Sequence, residues 1–247
     1  MLGLPDSITA CLFDLDGVLT STATVHNAAW TEMFDDYLRV RAERTGQPYA
    51  AFDPVADYNS YVDGRPRADG VRTFLSSRGI TLPDGGPNDP PRRETVHGLA
   101  NRKNEILLHL IRDRGVSPYP GSVRYLKAAQ AAGLRRAVVS ASANCAEVVR
   151  AAGIEDLLEV RVDGLLAAAR HLRGKPAPDT FLVAAEELGV PPEAAAVFED
   201  SVAGVQAGHA GGFGYVVGVD RVGHREELRR NGASVVVLDL AELLNDS

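Results

Sequence analysis

The pattern of this chain is that of an α/β protein, a doubly wound parallel sheet with an inserted helical domain, and three features carry that expectation. From Pro120 onward, short β-branched runs alternate with helical segments, the rhythm of a parallel sheet covered on both faces. One more run of the same kind, Ala10 to Leu15, stands alone near the start. Between them no strand is signalled, so the first strand joins the sheet only if the intervening stretch is an insertion. Residues 1–20 and 118–247 then form the sheet domain, and residues 21–117 a helical cap.

Taken in order, Ala10 to Leu15 is a buried strand that stops at Asp14-Leu15-Asp16-Gly17. Val25 to Arg44 has the apolar spacing of an amphipathic helix, Pro48, Pro54 and Pro66 break the next stretch, and Asp69 to Ser77 is helical again. Thr81 to Arg93 is so rich in Pro, Gly and Asp that it reads as a surface loop with a mobile tip, before a helix over Glu94 to Arg114. Strands follow at Arg136 to Ser140, Leu158 to Val162, Ala195 to Glu199, Tyr215 to Val219 and Ser234 to Val237. Helices over Ala143 to Ala152, Asp179 to Leu188, Ser201 to Ala210 and around Glu226 separate them.

Composition narrows the function. The 247 residues are 45% hydrophobic and 24% charged, the balance of a folded globular chain. Lys and Arg number 26 against 33 Asp and Glu, a net charge of −7 that argues against gripping nucleic acid by bulk electrostatics. Two cysteines, Cys11 and Cys145, do not make a disulfide framework, and no run approaches the roughly 18 apolar residues of a membrane span. The expectation is a cytoplasmic, monomeric protein that engages neither membrane nor nucleic acid.

The chemistry gathers at strand ends. Asp14 and Asp16 lie two apart where a strand stops, and a side-chain period of two sets both on one side of the sheet, at the edge where open α/β sheets bind ligands. Glu199 and Asp200 end a second strand, with Ser201 as a natural N-cap for the next helix. Carboxylates crowded in this way repel one another, so a hard divalent ion such as Mg²⁺ is expected among them. Lys175, in Gly174-Lys175-Pro176-Ala177-Pro178-Asp179, supplies a fixed ammonium, and Ser140 a hydroxyl beside a helix N-terminus suited to a phosphate oxygen. Singly, each has a plainer explanation in an acidic turn, a solvated lysine or a capping serine.

Together and in this order, Phe13-Asp14-Leu15-Asp16-Gly17-Val18, Val139-Ser140, Lys175-Pro176-Ala177-Pro178-Asp179 and Glu199-Asp200-Ser201 resemble the haloacid dehalogenase superfamily of aspartate-nucleophile phosphotransferases. The resemblance implies that Asp14 attacks phosphorus and Asp16 is general acid and base. Ser140 and Lys175 would hold the transferring phosphoryl group. Asp14, Asp200 and the Asp16 carbonyl would bind Mg²⁺, and Glu199 would support the metal through water. Asp16 tells against halide chemistry, which needs no second aspartate.

Further stretches are similar to the β-phosphoglucomutase family. Thr22-Ala23-Thr24-Val25-His26-Asn27-Ala28-Ala29-Trp30 matches its spacing after the nucleophile, which would make Thr22 a hinge-side, substrate-binding group and His26 a catalytic, substrate-side group near Asp16. Gly64-Arg65-Pro66-Arg67 resembles its cap loop, with Gly64 and Arg67 meeting the non-transferring phosphate and Arg65 a rival for that part. Arg102-Lys103-Asn104 would set Lys103 over the sugar, and Ser140-Ala141-Ser142-Ala143-Asn144 would offer Ser142 and Asn144 to the distal phosphate. The chain departs from the family at Ser21, where an aspartate is common, and at Ala143, where a lysine is usual; Arg65, Arg170 or Arg173 would compensate. The implied function is conversion of β-D-glucose 1-phosphate to glucose 6-phosphate through glucose 1,6-bisphosphate. A sugar-phosphate phosphatase is the alternative, and a silent sugar-phosphate sensor the second, disfavoured by the intact Asp14, Asp16, Lys175 and Asp200.

Overall fold

A computed structural model describes residues 2–63 and 65–244. Two compact units divide the chain: residues up to Ser21 with those from Val116 onward, and Thr22–Gly115.

The first unit is a six-stranded, wholly parallel sheet in the order β3-β2-β1-β4-β5-β6. Its elements are β1 (Ala10–Phe13), then, beyond the second unit's α1 (Ala23–Thr45), α2 (Arg67–Ser77) and α3 (Val96–Arg114), α4 (Pro120–Ala131), β2 (Arg135–Val139), α5 (Cys145–Ala151), β3 (Val160–Val162), α6 (Gly164–Ala169), α7 (Asp179–Leu188), β4 (Ala195–Glu199), α8 (Val202–Ala210), β5 (Tyr215–Val219), α9 (Arg225–Arg230) and β6 (Val235–Val237). Alternation along β1 explains the two covered faces. Ala10 and Leu12 join a buried cluster with Phe181, Ala184 and Leu188 of α7. Phe13 turns the other way, stacking on Phe198 of β4 at 4.5 Å and meeting the edge of Tyr125 of α4 at 6.2 Å between centroids. Burial of such side chains contributes roughly 1.5–3 kcal/mol each, which accounts for nearly continuous apolar strands.

Two helices, α4 and α6, are not signalled in the strand-and-helix reading. Pro120 and Gly121 read as turn residues, yet Pro at N1 has the right φ for a helix, and Tyr125, Leu126 and Ala129 follow with helical spacing. In α6 the cap is Asp163, whose side chain accepts from the N–H groups of Leu165 and Leu166.

The second unit is helical: α1, α2, α3 and a π-turn at Tyr58–Val62. Its core is aromatic, with Trp30 stacked on Phe34 at 5.3 Å and Phe34 against Phe74 at 4.1 Å. The loop before α3, expected to have a mobile tip, is tied down. Asp89 is buried, its carboxylate accepts from Thr95 at 2.7 Å and Arg93 at 2.8 Å, and Asn101 donates to the carbonyls of Pro87 and Asp89. Composition identifies a loop but not this internal polar anchor.

Candidate active site

Strand order reverses between β1 and β4, so the carboxyl ends of these neighbours flank the place where open parallel sheets bind ligands. Register does the rest. Phe13 pairs with Phe198 and with Val138, so one residue further on Asp14 lies beside Glu199, and Ser140 follows Val139 on the other flank. The Asp14 N–H still donates to the Phe198 carbonyl at 2.9 Å, which continues the ladder past the last strand residue.

Lys175 joins the two strand ends. Its buried ammonium donates to Asp14 Oδ1 at 2.5 Å and to Glu199 Oε1, and lies 5.1 Å over the Phe181 ring. An ion pair between Arg173 and Asp179 at 2.8 Å closes the loop that presents it. Glu199, only 1% exposed, is engaged at both oxygens, because Oε2 accepts from the Ser201 N–H and hydroxyl at 2.9 Å each. A Cβ on Gly204 would stand 1.9 Å from the Glu199 carboxyl carbon, so only glycine leaves room for this carboxylate. Gly204 belongs to the site although sequence reasoning missed it; the signal was a glycine inside a helix, costly there without a reason.

Electrostatics follow from this packing. Burial opposes charge on Lys175, but Asp14 and Glu199 outweigh it and hold the ammonium protonated well beyond the ordinary lysine range. Burial pushes the Asp14 carboxyl well above its usual value; Lys175 pulls it down, while Glu199 and Asp16 add to the rise.

The donor set fits a divalent cation of one kind. Asp14 Oδ2 takes no hydrogen bond among the described residues, and the Asp200 carboxylate lies where a Gly17 side chain would be, its Oδ2 1.7 Å from the ideal Cβ position. Gly17 has φ +87°, so glycine is required twice over. Among the described residues no group of three or more His, Cys, Asp or Glu side chains is arranged to hold a metal, and Glu199, expected to reach the ion only through water, accepts from Lys175 and Ser201. One or two carboxylates completed by water and substrate phosphate is the habit of Mg²⁺ rather than of a closed protein cage.

Ser140 is buried, and its Oγ accepts from the Ser142 N–H at 3.1 Å, while Ser142 Oγ accepts from the Asn144 N–H at 3.1 Å. No described residue accepts the Ser140 hydroxyl proton. Gly164 lets the next turn pack on this loop, since its Cβ would come within 2.5 Å of the Ala141 carbonyl oxygen. Arg170 and Arg173, expected to offset Ala143, are instead paired with Glu187 at 2.7 Å and Asp179 at 2.8 Å.

The predicted groups of the helical unit fall as follows. Thr22 is buried before α1 and its carbonyl accepts from the His26 N–H at 2.8 Å. His26 Nδ1 lies 3.1 Å from Lys103 Nζ, which stands 5.0 Å over the Trp30 ring and is 1% exposed. These two residues from α1 and α3 form one coupled pair, where the sequence suggested separate groups. Arg67 opens α2, half-buried, with a 3.5 Å contact to the Ala100 carbonyl, and burial lowers its pKa from the usual value. Arg65 is exposed, and Gly64 lies outside the described residues.

A parallel sheet whose carboxyl edge carries a buried carboxylate held by an ammonium, beside a hydroxyl and further carboxylates, defines an α/β phosphotransferase-type enzyme. The chain belongs to the haloacid dehalogenase-like hydrolase family, whose profile matches residues 8–212. It is 58% identical over 247 residues, 99% of this chain and 94% of each relative, to proteins named β-phosphoglucomutase from Mycobacterium bovis and Mycobacterium tuberculosis. The solved structure of β-phosphoglucomutase from Clostridium difficile superposes with a TM-score of 0.75 at 26% identity, covering 96% of this chain and 93% of that one.

Proposed function

We propose that this chain interconverts β-D-glucose 1-phosphate and glucose 6-phosphate through an aspartyl-phosphate enzyme and glucose 1,6-bisphosphate. The observation that carries this reading is Lys175 joining Asp14 to Glu199 while Asp14 Oδ2 stays open, in a chain so similar to proteins of that name. Asp14, Asp200 and the Asp16 carbonyl would hold Mg²⁺, which would supply charge neutralisation for the transferring phosphoryl group.

The chain's own groups divide the remaining work. Asp14 forms an oxygen–phosphorus bond as the phosphorus–oxygen bond to the sugar breaks, and Asp16 delivers a proton to the departing sugar oxygen. In the return transfer Asp16 removes the proton from the accepting hydroxyl. Lys175 offsets negative charge on a loose in-line transition state, and the Ser140 hydroxyl donates to a phosphoryl oxygen. Arg67 would clamp the non-transferring phosphate through its planar fork, and Ser142 and Asn144 would offer that phosphate further donors. Thr22, His26 and Lys103 orient the sugar. Arrival at C6 by one transfer and departure from C1 by the other requires the bisphosphate to turn over between them.

The test is purified protein with Mg²⁺, β-D-glucose 1-phosphate and a trace of glucose 1,6-bisphosphate, with glucose 6-phosphate and free phosphate followed together and the α-anomer as control. Glucose 6-phosphate from the β-anomer with little free phosphate is expected. Free phosphate without isomer would replace the proposal with a phosphatase, the reading favoured by Ala143 and by the pairing of Arg170 and Arg173 elsewhere.

A further inference from the structure

The loop after β5 reaches both turns that carry the site's acidic side chains, through their carbonyls. Asp220 organises it: Oδ1 accepts from the N–H groups of Gly223 at 2.7 Å and His224 at 2.9 Å, and Oδ2 from Arg225 at 3.1 Å. From this frame Arg221 Nε donates to the Gly17 carbonyl at 2.8 Å. His224 Nε2 lies 3.0 Å from the Asp200 carbonyl, a contact that makes it the donor because a carbonyl only accepts.

Arg221 is itself fixed at several points. Nη1 donates to the Leu238 carbonyl at 2.7 Å and approaches Asp239 Oδ2 at 3.4 Å, and the guanidinium stacks 3.7 Å from the Tyr119 ring centroid. Tyr119 in turn donates its N–H to the Leu19 carbonyl at 3.0 Å, so both ends of the Gly17 turn are braced. The Asp200 carboxylate fills the place a Gly17 side chain would take, so the two turns lie directly against each other.

We propose that Arg221 and His224 are positioning residues that set the spacing of the Asp14–Gly17 turn from Asp200, and thereby the affinity of the site for its divalent ion. The inference rests on the reading of Asp14 and Asp200 as metal-holding groups. Neither residue needs to touch substrate. Arg221 acts through a rigid fork with a stacking face, which lysine cannot reproduce.

The experiment measures Mn²⁺ binding by electron paramagnetic resonance without substrate, for wild type, Arg221→Lys, His224→Ala and His224→Gln, with melting curves alongside. Groups that orient ligands typically alter metal affinity by 10–100-fold, so a loss of about 10-fold is expected in Arg221→Lys and His224→Ala. The sugar-phosphate KM at saturating metal should stay near wild type, and His224→Gln should recover part of the loss through its amide N–H. Wild-type affinity in folded Arg221→Lys and His224→Ala overturns the proposal. Should Arg221→Lys fail to fold, His224→Ala decides alone. Wild type that binds no Mn²⁺ overturns the metal reading and this inference with it; wild type that binds Mn²⁺ without mutase activity overturns only the mutase reading.

Discussion

Replacement of Lys175 by Met should destabilise the sheet unit strongly and in a pH-dependent way. Methionine nearly matches the shape of the lysine stem, so the main change is loss of the ammonium between Asp14 and Glu199, with side chains that are 11% and 1% exposed. Removing one partner of a buried ion pair costs about 3–5 kcal/mol, because the remaining charge is left without compensation. At roughly 2–4 °C per kcal/mol for chains of this size, the melting temperature falls by about 6–20 °C near pH 7. The pH dependence has a definite sign. Asp14 already has a folded-state pKa raised by burial, and without Lys175 its chief downward influence is gone. A carboxyl whose folded pKa lies above its unfolded value binds more protons when folded, so the variant regains stability as pH falls. In wild type Lys175 has a raised folded pKa, so its contribution is present below the unfolded lysine value and lost only as pH rises past it. Thermal unfolding at pH 5, 7 and 8 in a chelating buffer measures both. A variant as stable as wild type at pH 8, or a deficit that does not shrink toward pH 5, would overturn the view of Lys175 as the compensating charge.

Other consequences are separable. Asp14→Asn should abolish turnover while keeping the fold, checked by phosphate transfer and circular dichroism on one sample; activity in a clean preparation contradicts the nucleophile assignment. Gly204→Ala sets a methyl 1.9 Å from the Glu199 carboxyl carbon and should cost roughly 1–3 kcal/mol, read by urea unfolding, with kcat falling as Lys175 is displaced. Ala143→Lys should tighten glucose 1,6-bisphosphate and raise the ratio of transfer to hydrolysis, measured by initial rates over a bisphosphate series.

Much of the sheet was legible because buried parallel strands read as apolar runs of fixed length: Ala195 to Glu199 and Tyr215 to Val219 are observed with the same bounds. Legibility failed where two signals compete. Pro120-Gly121 reads as punctuation, yet the proline is at the helix position where a missing N–H costs nothing, and Gly121 is there because Asp239 lies 1.6 Å from where its Cβ would be. The juxtaposition of Lys103 with His26 was equally hidden. Lysine on a helix ordinarily reaches water, whereas Lys103 is buried with the Trp30 ring beneath it and the His26 imidazole beside it.

The same contrast separates the two shells around Asp14. Asp14, Lys175, Glu199 and Ser140 can be read from the chain because their chemistry resides in side chains whose types are diagnostic at strand ends. Arg221 and His224 bind carbonyls, which every residue has, so nothing at Gly17 or Asp200 announces a partner more than 20 residues away. What the sequence does carry is the consequence of that bracing. Gly17 and Gly204 have no side chain because the Asp200 and Glu199 carboxylates fill those places. A glycine opposite each acid is therefore the imprint, in composition, of a carboxylate that fills the place of a side chain.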